Sequence, residues 1–238
     1  MEIAHLHFPT IGSTNNYAKD HADQFGLGAF TILSADEQTT GRGRGQRTWT
    51  SPAGVNLYLS FCSFVPKDFP DLHNSAQLLS LVCSDLLREL GVSSALKWPN
   101  DVLVHGKKVA GLLCDIVACG DQTLVINGMG LNVNMPEKDC ALIPGEATSL
   151  YVESGQTFDR DDLIKRLITI YANYWERFKS EGFRPFLGSY RRRSAHQLGD
   201  NVSFHVDGEI MCGEFHSVAD DGSLNLLLPD GSVKNFRS

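Results

Sequence analysis

The sequence predicts an α+β chain in which a mixed β-sheet flanked by helices is followed by a small, barrel-like all-β module. Three observations carry that prediction. Residues 54–64 (GVNLYLSFCSF) alternate with period two, and the segment from 101 to 134 contains at least three consecutive strands. Residues 75–90 and about 160–180 switch to a helical period. After about residue 187, short strands are separated by Asp-Gly pairs at 207–208, 221–222 and 230–231. Such pairs favour tight turns, because glycine accepts positive φ and aspartate bonds its own backbone.

Taken in order, IGSTNNYAKD (11–20) opens a short helix with Ser13 or Thr14 as its hydroxyl cap. AFTILSA (29–35) is a strand that runs into a polar, glycine-rich stretch over 36–48. In the strand at 54–64, Val55, Leu57, Leu59 and Phe61 point one way and Asn56, Tyr58, Ser60 and Cys62 the other. Leu78, Leu79, Val82, Leu86 and Leu90 make one stripe of the next helix, with Asp71 or Asn74 at its start and Gly91 at its stop. His105-Gly106 and Gly120-Asp121 supply the turns among the strands that follow. The helix at 160–180 has Asp159 and Asp162 as its capping arrangement and Gly182 after its last turn. Leu163, Leu167, Tyr171, Tyr174 and Phe178 build its buried face.

The chain has 238 residues, 42% of them hydrophobic and 21% charged, enough to bury a core without disulfides. Lys plus Arg is 21 and Asp plus Glu 28, so the net charge of −7 argues against a general nucleic-acid binder. The six cysteines include no C-x-x-C pair, MEIAHLHFPT is not a secretory signal, and no long apolar run exists to span a membrane. A reducing cytoplasm is the expected setting.

The chemistry concentrates in three clusters. Gly41-Arg42-Gly43-Arg44-Gly45-Gln46-Arg47, then Thr48-Trp49, packs three cations into a loop whose glycines let the backbone wrap a ligand. Arginine forks suit carboxylate or phosphoryl oxygens, at roughly 1.5–3 kcal/mol per charge-assisted bond. The loop joins two strands, so a lid that closes over an anionic ligand fits it better than an RNA-binding RG tail does. Lys97-Trp98-Pro99-Asn100-Asp101 and Gly106-Lys107-Lys108-Val109-Ala110-Gly111 form the second cluster, with Lys108 at the rim of a cleft and Lys107 an ordinary turn lysine. In the third, Asn127-Gly128-Met129-Gly130-Leu131-Asn132-Val133-Asn134, Asn132 needs a specific partner if it is buried. No complete G-x-G-x-x-G, P-loop, G-x-S-x-G or H-E-x-x-H pattern occurs. His5 and His7 alone make a poor zinc site, and Cys62, Cys83 and Cys114 read as core residues.

Together these segments resemble the biotin–protein ligases. The resemblance rests on Ser13-Thr14-Asn15, Gln38 through Arg44, Arg47-x-Trp49, Lys97 through Asp101, Gly106-Lys107-Lys108-x-Ala110-Gly111 and Gly130 through Asn134, in that order. It implies a class II synthetase-like catalytic domain over 1–187 and an SH3-like barrel over 188–238. The implied activity is that of a biotin–[biotin carboxyl carrier protein] ligase, which forms biotinyl-5′-AMP from biotin and ATP and passes biotin to a carrier lysine. Ser13, Thr14, Gln38, Gly41 and Arg42 would meet the biotin ring. Arg44 would close over the adenylate, and Arg47 would lie near the phosphates. Lys108 would touch the reacting oxygens, with Asp101 and Asn132 on the nucleotide and Mg²⁺ side. Lys108, Arg44 and Asp101 are thus the expected catalytic residues, and Asn15, Gly43, Trp49, Lys97, Asn100 and Gly111 complete the expected binding set. Mg²⁺ is expected mainly through ATP phosphates, with Asp101 as a candidate protein contact.

The expected partner is the biotin carboxyl carrier protein of acetyl-CoA carboxylase, with no DNA and no membrane. A sheet-edge homodimer is one arrangement that relatives use. Relatives often carry arginine then glycine where this chain has Gly45-Gln46, so looser adenylate retention is expected. Residues 1–12 are too few for the winged helix-turn-helix of the repressor-type relatives, so an enzyme alone is expected. The rival assignments are a lipoate or octanoate ligase or transferase, which shares the fold, and an RNA-binding module.

Overall fold

The computed structural model describes residues 2–26, 29–45, 47–206 and 209–237. Strand β1 (Glu2–Ile11) leads through helix α1 (Thr14–Asp20) and a 3₁₀ turn (Ala22–Gln24) into β2 (Ala29–Gln38), which lies parallel to β1. Then come β3 (Leu57–Pro66), α2 (Ser75–Glu89), β4 (Ala95–Lys97), β5 (Asp101–Val104), β6 (Lys107–Cys119) and β7 (Gln122–Leu131). The strands form one sheet in the order β1-β2-β3-β7-β6-β5-β4, antiparallel everywhere except β1–β2. Short helices α3 (Glu137–Cys140) and α4 (Leu150–Ser154) precede the long α5 (Arg160–Glu181) and then α6 (Arg184–Arg192).

The two faces of the sheet are unlike. On one, Phe30, Ile32, Leu59, Phe61 and Leu131 are buried with the apolar residues of α2 and α5, and Tyr171 stacks on Phe61 with ring centroids 4.4 Å apart. On the other, α1 covers a smaller cluster of Ala18, Ala22, Leu33, Cys62, Leu124 and Ile126. The remainder of that second face carries the site.

Ser13 caps α1 by accepting the Asn16 N–H, and Asp159 caps α5 by accepting those of Asp161 and Asp162. Gly91 and Gly106 have φ of 78° and 81°, as the stop and turn expected of them require. Helix α2 departs from expectation. Asn74 occupies its cap, but the Asn74 amide donates to Gln77 and to the Asp221 carbonyl, while Asp71 accepts the Phe183 N–H. Trp175 belongs to the buried face of α5, whereas Tyr174 is only half-buried.

The boundary expected at 187/188 falls inside α6. The C-terminal sheet begins only at β8 (Asn201–Val206), followed by β9 (Glu209–Val218), β10 (Leu224–Leu227) and β11 (Val233–Phe236). Its order is β11-β10-β9-β8, antiparallel throughout, and among the described residues the outer strands β8 and β11 do not pair. The expected barrel is therefore an open sheet. Its apolar residues (Val202, Phe215, Val218, Leu224, Leu226 and Phe236) belong to the same core cluster as those of the main sheet. Trp98 marks the seam. Its ring lies 5.1 Å from Phe204, and its Nε1–H donates to the Gly222 carbonyl at 3.3 Å. The turns at Asp221-Gly222 and Asp230-Gly231 form as expected, each aspartate accepting the N–H of the serine two residues on. Asp207-Gly208 lies outside the described residues. Among the described residues, no helix is long and apolar enough to cross a membrane.

Candidate active site

Strand register builds the floor of the site. Tyr58, Gly130, Gly111, Asp101 and Lys97 stand in one row across β3, β7, β6, β5 and β4, and Ser60, Gly128 and Leu113 stand in the next. Residues of a row share a face, here the one turned away from α2 and α5. Gly111, Gly128 and Gly130 leave that face without side chains, and neighbours use the room. A Cβ at Gly130 would overlap the Trp49 indole, and one at Gly128 would overlap the Asn15 amide.

The polar end of the floor lies under α1. Gln38 Oε1 accepts the Thr14 N–H at 2.9 Å, and Gln38 Nε2 donates to Ser51 at 3.2 Å, which ties α1 to both ends of the arginine loop. Ser60 Oγ lies 2.7 Å from Thr14 Oγ1 and 2.6 Å from Asn15 Oδ1. Asp115 gathers three donors: Asn15 Nδ2 at 2.9 Å, Arg42 Nη1 at 3.1 Å and Lys19 Nζ at 2.6 Å. Arg42 also donates to Asn16 Oδ1 at 2.9 Å, so its guanidinium is held from two sides.

The loop itself folds back as a narrow hairpin. Trp49 N–H donates to the Gly41 carbonyl and Gly43 N–H to the Arg47 carbonyl, with Arg42 and Thr48 bridged between them. Gly41 is tightly enclosed, since a Cβ there would crowd Ser51 Oγ at 2.7 Å. Arg44 is an exposed residue of the loop, and its guanidinium is partly desolvated. Desolvation there lowers its pKa, Asp101 opposes that shift and Arg47 adds to it. Gln46, the departure from the relatives, lies outside the described residues.

Lys108 reaches the floor through a bulge. Val102 pairs with Ala110 and Leu103 with Lys108, so Val109 is an extra residue in β6. In a regular strand Lys108 and Gly111 would face opposite sides. With the bulge they share one, and a Cβ at Gly111 would meet Lys108 Nζ at 3.1 Å. Lys108 Nζ pairs with Asp101 at 2.5 Å and sits 5.2 Å from the centroid of the Trp49 ring. A strap over 146–148 grips the bulge, because Lys108 N–H donates to the Glu146 carbonyl and Thr148 N–H to the Lys108 carbonyl. The strap is secured by Glu153, which accepts from Thr148 and pairs with His105, both at 2.5 Å.

The structure therefore brings Thr14, Asn15, Gln38, Gly41, Arg42, Arg44, Trp49, Asp101, Lys108 and Gly111 to one face. Asn132 differs. It is fully buried, and its amide is committed to Asn56 and the Thr148 carbonyl, so it supports the strap from beneath. Asn100 donates to the Leu112 carbonyl at 2.6 Å, while Lys97 and Arg47 are exposed at the margin. Ser60, Glu153 and Asp115 carry no motif that marks them as site residues in the sequence, and Gly128 stands there only as one glycine of the third cluster. For Asp115 a signal existed, a carboxylate inside an otherwise apolar strand, which demands partners.

Among the described residues, no group of three or more His, Cys, Asp or Glu side chains could hold a metal ion. His5 and His7 instead both meet Ser34 Oγ. All six cysteines are free, and burial pushes the Cys83 and Cys114 thiols up to about 12, which makes them poor nucleophiles.

Residues 7–132 match the biotin/lipoate A/B protein ligase family. The chain is 30% identical to the bifunctional ligase/repressor BirA of Escherichia coli over 95% of its own length and 70% of that protein's. It is 33% identical to the biotin–[acetyl-CoA-carboxylase] ligase of Mycobacterium tuberculosis over 82% of this chain and 72% of the relative. Its fold superposes with a TM-score of 0.80 on a biotin protein ligase from Aquifex aeolicus in complex with biotin and ATP. That structure is 29% identical, over 99% of this chain and 96% of the other.

Proposed function

The chain belongs to the biotin/lipoate A/B protein ligase family, and from that premise we infer an ATP-dependent ligase that activates biotin as biotinyl-5′-AMP and transfers the biotinyl group to a lysine of a carrier protein. The observation that carries this assignment is one glycine-floored face with a hydrogen-bonding pocket at Thr14, Ser60 and Gln38 and, beside it, the cations Lys108 and Arg44.

In the first half-reaction a biotin carboxylate oxygen attacks the α-phosphorus of ATP and pyrophosphate leaves. Two anions must approach each other, and Lys108 with the loop arginines offsets that repulsion. Their donors stabilise the charge that builds on the phosphoryl oxygens in the transition state. Asp101 holds the Lys108 ammonium over the floor beforehand, so little reorganisation remains at the moment of reaction. Mg²⁺ would be held mainly by the ATP phosphates, with Asp101 offering it one carboxylate oxygen, and would neutralise charge on the phosphoryl groups. In the second half-reaction the neutral carrier amine attacks the acyl carbon, AMP leaves with the bonding pair, and the amine's surplus proton passes to solvent. Trp49, lying on Gly111 and Gly130, excludes water from that mixed anhydride. The carrier we propose is the biotin carboxyl carrier protein of acetyl-CoA carboxylase, met in a reducing cytoplasm where the six thiols stay free.

The test mixes the purified protein with ATP, Mg²⁺, a carrier domain and either radiolabelled biotin or lipoate, and follows protein-bound label. Biotin transfer that is lost in Lys108→Ala and reduced in Arg44→Ala is expected. Lipoate transfer without biotin transfer would overturn the assignment.

A further inference from the structure

The hydrogen bonds at the polar end of the floor have a fixed direction. Asn15 Nδ2 lies 3.2 Å from the Leu113 carbonyl and 2.9 Å from Asp115 Oδ2. Both neighbours can only accept, so the amide nitrogen must face them and Oδ1 must face Ser60. Ser60, 2.6 Å from that oxygen, gives it its single proton. Thr14 Oγ1, 2.7 Å from Ser60 Oγ, then has to donate to Ser60. No proton remains for the 3.3 Å contact between Thr14 Oγ1 and Gln38 Oε1, and that oxygen is served by the Thr14 N–H instead. The chain of donation therefore runs from Thr14 through Ser60 and Asn15 to Asp115. At its head, Thr14 Oγ1 keeps only acceptor capacity.

We propose that Asp115 is a positioning residue that sets this direction, making the head-group pocket an acceptor site that selects ligands carrying an N–H donor, such as the cyclic urea of biotin, over heads without one, such as the dithiolane of lipoate. The proposal rests on the biotin-ligase assignment above and supplies its specificity. A carboxylate is needed because it cannot donate. With asparagine at 115 the shorter of the two bonds that pin the Asn15 amide is lost and only the 3.2 Å bond to the Leu113 carbonyl opposes its turning over; when it turns to accept from the new amide, Ser60 and Thr14 reverse, and the Thr14 proton points at the ligand's own N–H. A pocket built to pair with a polar ligand group rejects an analogue that lacks it, since its buried partners are left unsatisfied. Asp115 also neutralises Arg42 and Lys19, so its replacement alters the local charge. Comparing two ligands with the same carboxylate cancels that effect.

The experiment is calorimetric titration of the full chain and Asp115→Asn with biotin and with both cyclic-carbamate analogues, in which one ureido N–H is replaced by oxygen. The unsubstituted protein is expected to prefer biotin over one carbamate by roughly 30-fold or more, the scale of a lost buried hydrogen bond. In Asp115→Asn that preference should fall to within about threefold. Ser60→Ala, which cuts the chain between Thr14 and Asn15, should narrow it likewise and serves if the first variant does not fold. A parallel loss of affinity for all ligands, with the preference intact, would mark Asp115 as merely structural and overturn the proposal. Absence of biotin binding and of biotinyl-AMP formation by the unsubstituted protein would instead overturn the assignment beneath it.

Discussion

Alanine at Gly128 tests whether the glycine floor is a requirement of the site. The added Cβ would overlap Asn15 Oδ1 and lie 2.9 Å from both Cγ and Nδ2. Asn15 cannot simply swing aside, because it is buried and bonded to Leu113, Asp115 and Ser60. Displacing it forfeits these three bonds at about 0.5–1.5 kcal/mol each, so a loss of about 2–4 kcal/mol is expected. For a chain of this size that lowers the unfolding midpoint by roughly 5–15 °C. Biotin affinity should fall by at least about tenfold, since Ser60, the partner of Thr14, loses the acceptor that orients it. Gly188→Ala is the control, being the same chemical change in the middle of α6, where the nearest atom to the new Cβ is Arg192 Nη1 at 3.5 Å. There alanine should stabilise by about 0.5–1 kcal/mol. Thermal unfolding followed by tryptophan fluorescence, with calorimetric biotin titration, reads both. A Gly128→Ala protein with wild-type midpoint and affinity, alongside a normally behaving control, would refute the reasoning.

Lys108→Gln should slow biotinyl-AMP formation by roughly 10²–10³-fold, read as pyrophosphate release. Its stability should change by less than about 1 kcal/mol, because the pair with Asp101 is partly solvated; an unchanged kcat would remove Lys108 from the chemistry. Asn132→Ala strands the Asn56 amide and the Thr148 carbonyl and should destabilise by about 2–4 kcal/mol in urea titrations, with a change below about 0.5 kcal/mol counting against the strap. Burial pushes Glu153 up, but bonds from Thr148 and His105 and the charges of His105 and Lys107 outweigh it and hold its carboxyl below the ordinary value. A carboxylate depressed in the folded state stabilises above its unfolded pKa and loses that contribution as pH falls through the folded one. Glu153→Gln should therefore flatten the decline in urea midpoint between about pH 5 and 3, and superimposable pH curves for the two proteins would exclude the effect.

The arginine loop and the Lys97–Asp101 segment were legible in sequence because glycine and charge cluster there locally. The face that Lys108 occupies was not. Period-two reasoning places Lys108 and Gly111 on opposite sides, and only the extra residue Val109, visible as a register shift against β5, brings them together. That Asn132 needed a partner followed from its burial, but Asn56 lies 76 residues away and no pattern linked them. Strand β1 escaped notice for a physical reason as well. It is a sheet edge with Ile3 and Leu6 largely exposed, so its pattern of burial is blurred. The C-terminal turns were legible from their Asp-Gly pairs, yet whether the outer strands pair was not, because such pairing is non-local and leaves no pattern in the sequence.

The same alternation explains how β6 and β7 tolerate three glycines at their centre. Glycine within a strand costs about 0.5–1 kcal/mol relative to alanine, so three together would weaken an isolated hairpin severely. Here each one neighbours a residue turned to the opposite face. Leu112 follows Gly111, and Met129 stands between Gly128 and Gly130, and both are buried against the helices. Stability is thus supplied by one parity of the strand and ligand space by the other. A slip of one residue would exchange them, placing glycine in the core and Met129 in the site. The register that forms the core therefore also forms the floor, and the one place where parity is broken, at Val109, is where a cation has to cross to the ligand side.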